Sequence, residues 1–146
     1  MEISPRVRIL ATIKPGTIYY FTEESFNSRE PHFFVVLNNI PHKDETLILA
    51  CAQSEIEKRK RARRLLPCET LVEVSPTEFP LFTCDTIFDC NSPISRSAEL
   101  IVNKLESGSL KTFGDSMPDD ILKKLIKGVL ASPLVDKETK NFLSAE

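Results

Sequence analysis

Three apolar runs dominate the first third of this sequence, and the short polar connections between them leave little choice of architecture. They are Thr17-Ile18-Tyr19-Tyr20-Phe21, Phe33-Phe34-Val35-Val36-Leu37 and Thr46 to Cys51. Each is rich in β-branched and aromatic side chains and bounded by turn formers, which reads as a strand. Pro15-Gly16 launches the first. The second and third are apolar on both faces, the pattern of strands that are covered from two sides. Asn38, Asn39, Pro41, His42, Lys43 and Asp44 form a turn cluster, so the second and third runs read as a hairpin. The polar stretch from Thr22 to Pro31, with EESFNSRE inside it, reads as a loop.

Further on, Glu69 to Val74 alternates polar and apolar residues, as a half-buried strand does. Ser75 to Pro80 is a proline-flanked turn. Leu81-Phe82-Thr83 and Thr86-Ile87-Phe88 are short strand candidates before the break at Asn91-Ser92-Pro93. From Ser97 the period changes: Leu100, Ile101 and Leu105 recur at helical spacing, with Ser97 as N-cap and Gly108 as stop. A second helix is expected to start at Ser116-Met117-Pro118-Asp119-Asp120, where a serine, an early proline and two acids suit a helix N-terminus. Its apolar stripe is Ile121, Leu122, Leu125, Ile126, Val129 and Leu130, and Ser132-Pro133 ends it. Asp136 caps a last short helix running to Leu143. The order of elements implies an α+β chain in which a small antiparallel β-barrel spans about residues 14–92 and a helical tail packed on it spans 95–146. The whole of 1–146 reads as a single domain.

Composition narrows the function classes. The apolar fraction of 41% and charged fraction of 27% are those of a globular protein. A domain of this size buries roughly 68–70% of its unfolded surface, so its stability needs no metal or disulfide. The net charge of −2 means that any anion-binding role must come from a local patch. The N-terminal stretch is broken by Pro5 and Pro15 and has no secretory apolar core, and no apolar run is long enough to span a bilayer. A cytoplasmic location is expected, which makes reduced thiols the better reading of the four cysteines. Cys84 and Cys90 do not have zinc-site spacing, and the two histidines, His32 and His42, lie far from them, so no metal site is expected.

Two segments carry candidate chemistry. Glu57-Lys58-Arg59-Lys60-Arg61-Ala62-Arg63-Arg64 concentrates six of the nineteen Lys and Arg of an acidic chain. Lys58, Arg59, Lys60, Arg61, Arg63 and Arg64 suit phosphate contacts, though without an interleaved aromatic for stacking. The same run also reads as a solvated loop or edge, or as a dock for an acidic protein. The second segment is Arg29-Glu30-Pro31-His32. A histidine relays protons and an arginine stabilises a charged phosphorane, which together suffice for metal-independent RNA cleavage. The plainer alternative is that His32 caps a strand and Arg29 is solvated. Gln53-Ser54 closes the third run, where Ser54 can orient a phosphate oxygen if it lies beside His32.

The pattern resembles the MazF/PemK toxin family. PGTIYYF looks like its opening strand, PHFFVVLNN the second, LILACAQS the third, LVEVSPTEF the return strand and CDTIFDC the last, and MPDDILKKLIKGVLASPL is similar to its C-terminal helix. The resemblance covers roughly residues 14 to 131. It implies an SH3-like barrel with appended helices and a metal-independent endoribonuclease that needs no cofactor. It also implies single-stranded RNA as substrate, a homodimer, and a cognate antitoxin-like protein as partner. The family pairs an arginine just before a proline at the second strand with a serine or threonine after the third. Ser54 matches the latter with a one-residue shift, and Gln53 is the other candidate. Taken with His32 from its own chemistry, the catalytic candidates are Arg29, His32 and Ser54. The family pattern has an arginine just before the proline of the second strand; here Glu30 precedes Pro31 and Arg29 is one residue further back. That departure keeps open a non-catalytic SH3-like binding module that has lost the nuclease site.

Overall fold

A computed structural model describes residues 13–26, 29–38 and 46–144. Of the turn cluster read from Asn38 to Asp44, all but Asn38, His42 included, lies outside the described residues. The chain is α+β, with seven strands and four helices among the described residues. In order they are β1 (Thr17–Phe21), β2 (His32–Val36), β3 (Thr46–Gln53), α1 (Ile56–Ala62), β4 (Leu71–Val74), β5 (Thr86–Asp89), β6 (Ile94–Ser97), α2 (Ala98–Glu106), β7 (Leu110–Ser116), α3 (Asp119–Ala131) and α4 (Lys137–Ser144). A short 3-10 turn, Cys68–Thr70, leads into β4.

The strands pair antiparallel in the spatial order β4-β5-β3-β2-β1-β7, and β6 joins β3 beside that path. The sheet is open: among the described residues no pairing joins β4 to β7. β3 organises it because its eight residues outrun any one neighbour. Its first half pairs with β6, from Thr46↔Ser97 to Leu49↔Ile94, and its end pairs with β5 at Ala52↔Phe88 and Gln53↔Ile87. Asn38 locks the entry to β3. Its Nδ2 donates to the Thr46 carbonyl and its Oδ1 accepts from the Ile48 amide, both at 2.8 Å.

The doubly apolar strands have a physical cause, because each face of the sheet carries its own core. Ile18, Val35, Ile48 and Ala50 point to one face and pack with Ile121, Leu125 and Val129 of α3. Tyr19, Phe21, Phe34, Leu47 and Leu49 point to the other and pack with Ala98, Ile101 and Val102 of α2. Alternation along a strand then puts apolar side chains at every position.

Two glycines are demanded by geometry. Gly16 has φ +97°, open to glycine at little cost, and its amide donates to the Val36 carbonyl at 2.7 Å. Gly128 lies where α3 meets the 3-10 turn. A Cβ there would stand 2.7 Å from the Glu69 carbonyl oxygen and 2.9 Å from Cys90 Sγ.

Several expectations change. Leu81–Thr83 is not a strand but part of a turn, in which the Phe82 amide donates to the Phe79 carbonyl at 3.1 Å and both rings turn inward. Residues 94–116 are not purely helical tail, since they supply β6 and β7, and β7 pairs with β1. Ser116 does not cap the second predicted helix: it ends β7 opposite Thr17, and Pro118 occupies the N-cap position of α3. Leu130, read as part of the α3 stripe, is exposed. The charged run from Glu57 folds as helix α1 rather than as a loop. Ser97 does cap α2, accepting from the Leu100 amide at 3.1 Å, and Asp136 accepts from the Thr139 amide at 2.7 Å at the start of α4. No helix among the described residues is long and apolar enough to cross a membrane.

Candidate functional site

His32 opens β2 and pairs with Phe21, the last residue of β1. β2 and β3 register at Phe34↔Cys51. Continuing that register by two residues sets His32 opposite Gln53. These two residues stand at the open end of the sheet, where two cavities of about 400 Å³ each share them as lining. On the α2 side of the sheet the first cavity is lined by Ser25, Phe26, Cys51, Arg59, Asp89 and Ser92 as well. On the α3 side the second adds Tyr20, Glu30, Phe33, Ser54, Phe82 and Thr86, among others. His32 is therefore a post between two hollows. Its Nδ1 is buried with no hydrogen-bond partner among the described residues, and the Phe26 ring meets the imidazole edge-on at 5.5 Å.

The wall that carries Ser25 and Phe26 is fixed by an ion pair from the far end of the chain. Glu23 is buried, and Arg96 of β6 forks onto it, with Nε to Oε1 at 3.0 Å and Nη2 to Oε2 at 2.6 Å. The Ser25 amide donates to Glu23 Oε2 at 3.1 Å, and the Phe26 amide donates to the Glu23 carbonyl at 3.1 Å. Burial works to raise the Glu23 pKa, but the Arg96 fork and the Ser25 hydrogen bonds outweigh it and hold the carboxyl at about 2.

The opposite wall is built on Asp89 at the end of β5. Its Oδ2 accepts from Arg63 Nε at 2.8 Å and lies 3.5 Å from Arg59 Nη1. Its Oδ1 accepts from the Asn91 amide at 3.1 Å and from Asn91 Nδ2 at 2.9 Å. Asn91 Nδ2 also donates to Thr70 Oγ1 at 2.9 Å, and Ser132 Oγ donates to Asn91 Oδ1 at 2.6 Å. This buried chain ties α1, the 3-10 turn and the end of α3 to one strand. It also explains why α1, which has no buried residue of its own, lies where it does.

The six basic residues proposed for nucleic-acid contact consequently do not form a uniform cationic face. Lys58 pairs with Glu55 at 3.4 Å, Lys60 with Glu73 at 2.9 Å, and Arg59 and Arg63 share Asp89. Arg61 and Arg64 have no ion pair among the described residues, and both are exposed. Of the six, only Arg59 lines the first cavity. Of the three catalytic candidates, His32 and Ser54 share the second cavity, whereas Arg29 is exposed and lines neither.

The aromatic wall of the second cavity was not foreseen from the sequence. Tyr20 and Phe33 are cross-strand partners with ring centroids 4.6 Å apart, and Phe82 closes on Phe33 at 5.4 Å. Their signal was the β1–β2 register, which brings the last aromatics of one run against the first of the next. The thiols divide by burial. Cys51 and Cys90 are buried, and burial pushes both up to about 12. Cys68 and Cys84 are exposed, and all four are free. Among the described residues no group of three or more His, Cys, Asp or Glu side chains is placed to hold a metal ion. No family model matches this sequence, and no curated protein matches it.

Proposed function

We propose that this protein is a divergent MazF/PemK-like, toxin-type protein that binds single-stranded RNA across the open end of its sheet and cleaves it without a metal ion. The seven-stranded sheet is read as the wall of an SH3-like barrel with helices on its faces. One observation carries the reading: the His32 imidazole lines two cavities, its Nδ1 has no hydrogen-bond partner among the described residues, and Ser54 lines one of the two. In the reaction the 2′-hydroxyl attacks its own phosphate. The P–O2′ bond forms as the P–O5′ bond breaks, giving a 2′,3′-cyclic phosphate and a 5′-hydroxyl. His32 takes the 2′-hydroxyl proton, water gives a proton to the leaving oxygen, and Ser54 donates a hydrogen bond to a phosphoryl oxygen. Arg29, Arg61 and Arg64, all exposed, act through charge alone. The resemblance that motivates this reading also proposes a homodimer and an antitoxin-like partner in the cytoplasm.

The test is incubation of the folded protein with a long unstructured RNA in EDTA. Cleavage that is lost in His32→Ala supports the reading. Intact RNA at high protein excess overturns it.

A second reading is a non-catalytic RNA- or protein-binding module on the same scaffold. It is favoured by Glu30 at the cavity where the family pattern has an arginine, and by the ion pairing of four of the six α1-segment cations with three carboxylates. It predicts that changing Arg29, His32 and Ser54 together to alanine leaves ligand binding unchanged. Loss of binding with the fold intact counts against it.

A further inference from the structure

The wall of the first cavity holds more positive charge than its carboxylate balances. Asp89 is the one acid in that lining among the described residues, and it serves two arginines. Arg63 Nε makes the hydrogen bond, at 2.8 Å to Oδ2, while Arg59 Nη1 stands 3.5 Å from the same oxygen. The other oxygen, Oδ1, is taken by the backbone amide and the side-chain amide of Asn91. Two guanidinium charges against one carboxylate leave one positive charge unbalanced, and it falls on Arg59. The N–H groups of its guanidinium make no hydrogen bond among the described residues, and its side chain is 33% exposed. Two neighbours place that guanidinium at the hollow. One is Asp89, which is itself cavity wall. The other is Cys51, also wall, where burial raises the thiol pKa and the Arg59 charge works against that rise.

Ser92 supplies a second donor to the same lining. Its hydroxyl accepts from Arg63 Nη2 at 2.8 Å, and a hydroxyl that accepts still has its own proton to give. Among the described residues no acceptor takes that proton. Both oxygens of the acid are therefore filled, while a guanidinium fork and an O–H stay open. A cation would meet Arg59, and an apolar ligand would bury that charge without a partner. A carboxylate fills the fork alone, whereas a tetrahedral phosphate has oxygens left over for the hydroxyl. The volume of about 400 Å³ falls within the usual range for small-ligand sites, about 300–1,000 Å³.

We infer that this cavity is a binding site for a phosphate group, in which the Arg59 guanidinium and the Ser92 hydroxyl donate to the phosphate oxygens. The inference rests on the reading above only for the source of the phosphate. His32 and Gln53 line both cavities, so an RNA strand would place here a backbone phosphate next to the one at Ser54. Arg59 thereby gains a role distinct from that of Arg29, Arg61 and Arg64, which line neither cavity.

Titration of the intact protein with inorganic phosphate, followed by amide NMR, tests the site. The amides of Gln53, Arg59 and Ser92 should shift and saturate, and those of the exposed Lys111 and Lys123 should not. Arg59→Met keeps the side-chain stem and leaves Asp89 its bonds to Arg63 and Asn91. It should weaken phosphate binding by about tenfold or more, the scale of a lost charge-assisted hydrogen bond. Ser92→Ala should weaken it less, and Arg61→Met should leave it unchanged. Acetate should bind more weakly than phosphate. Absence of saturable binding, shifts of equal size at Lys111 and Lys123, equal affinity for acetate, or full affinity in folded Arg59→Met overturns the inference. If Arg59→Met does not fold, the wild-type shift map and Ser92→Ala decide it. The source is read by competition with a short 2′-deoxythymidine oligonucleotide, which has no 2′-hydroxyl to attack, and with its uncharged methylphosphonate counterpart. Displacement of inorganic phosphate by the charged strand alone assigns the site to a nucleic-acid backbone. Displacement by neither assigns it to free phosphate. Phosphate held through Arg59 while RNA stays intact in EDTA keeps the site and sinks the nuclease reading. RNA cut by wild type and by Arg59→Met alike, with no phosphate bound, keeps the nuclease and sinks the site.

Discussion

Neutralising the buried Glu23 should cost this protein stability, and the penalty should depend on pH in a defined way. The side chain is buried, is held by a two-pronged Arg96 fork, and has its pKa drawn from 4.5 to about 2. That difference corresponds to about 3 kcal/mol, at roughly 1.4 kcal/mol per pH unit. The folded-state value lies below the unfolded one, so the stabilisation is fully present above pH 4.5 and is lost as pH falls toward 2. More than half of it should be gone by pH 3. Glu23→Gln should therefore lower stability to urea by about 3 kcal/mol at pH 7 and by only about 1 kcal/mol at pH 3. Other carboxylates titrate alike in both proteins and cancel in the difference. Because the Glu23 turn carries Ser25 and Phe26, the variant should also loosen the first cavity, seen as a shift of the Phe26 ring resonances. A deficit of the same size at both pH values, or one under about 0.5 kcal/mol at pH 7, would mean that the fork is a solvated surface pair and that the argument from burial is wrong.

Three other outcomes follow from the same geometry. Gly128→Ala gains about 1 kcal/mol of helix preference, but its methyl group meets the Glu69 carbonyl and Cys90 Sγ. Overpacking of that kind costs typically about 1–3 kcal/mol, so the urea midpoint should fall; a rise refutes the close approach. Asp89→Asn strands Arg59 and Arg63, which are themselves part-exposed. It should cost about 2–3 kcal/mol, below the cost of breaking a fully buried pair, and it should speed amide exchange in α1 before that in β5. Under native conditions iodoacetamide should modify Cys68 and Cys84 and spare Cys51 and Cys90, as counted by intact mass; early alkylation of either buried thiol contradicts the placement of β3 or of the β5 end.

Strand identity was legible wherever the residues themselves carry the preference. β1, β2, β3 and β5 announce themselves through β-branched and aromatic runs, and Ser97, Gly108 and Asp136 through cap chemistry that works within one turn of helix. β6 and β7 were not legible. Ile94–Ser97 and Leu110–Ser116 are polar at most positions, and they become strands only because β3 and β1 offer them free hydrogen-bonding edges. Leu81–Thr83 failed in the opposite direction. Its apolar residues mark a turn that buries two phenylalanines, and short apolar runs do not distinguish the two cases.

The site divides along the same line. From the sequence alone came His32 and Ser54 as residues of the right chemistry near strand ends, and α1 as a concentration of positive charge. Tertiary structure decided how that charge is spent, since Asp89, Glu73 and Glu55 pair with four cations that composition counts as free, Asp89 serving two of them. It also decided that Arg29 stands apart from the cavities, that the Tyr20–Phe33 pair faces the same hollow as Glu30, and that one imidazole joins two cavities. The reason is physical. Propensity and capping act over a few residues and are written locally, whereas electrostatic pairing and cavity lining depend on which distant segments the strand register brings within a few ångströms.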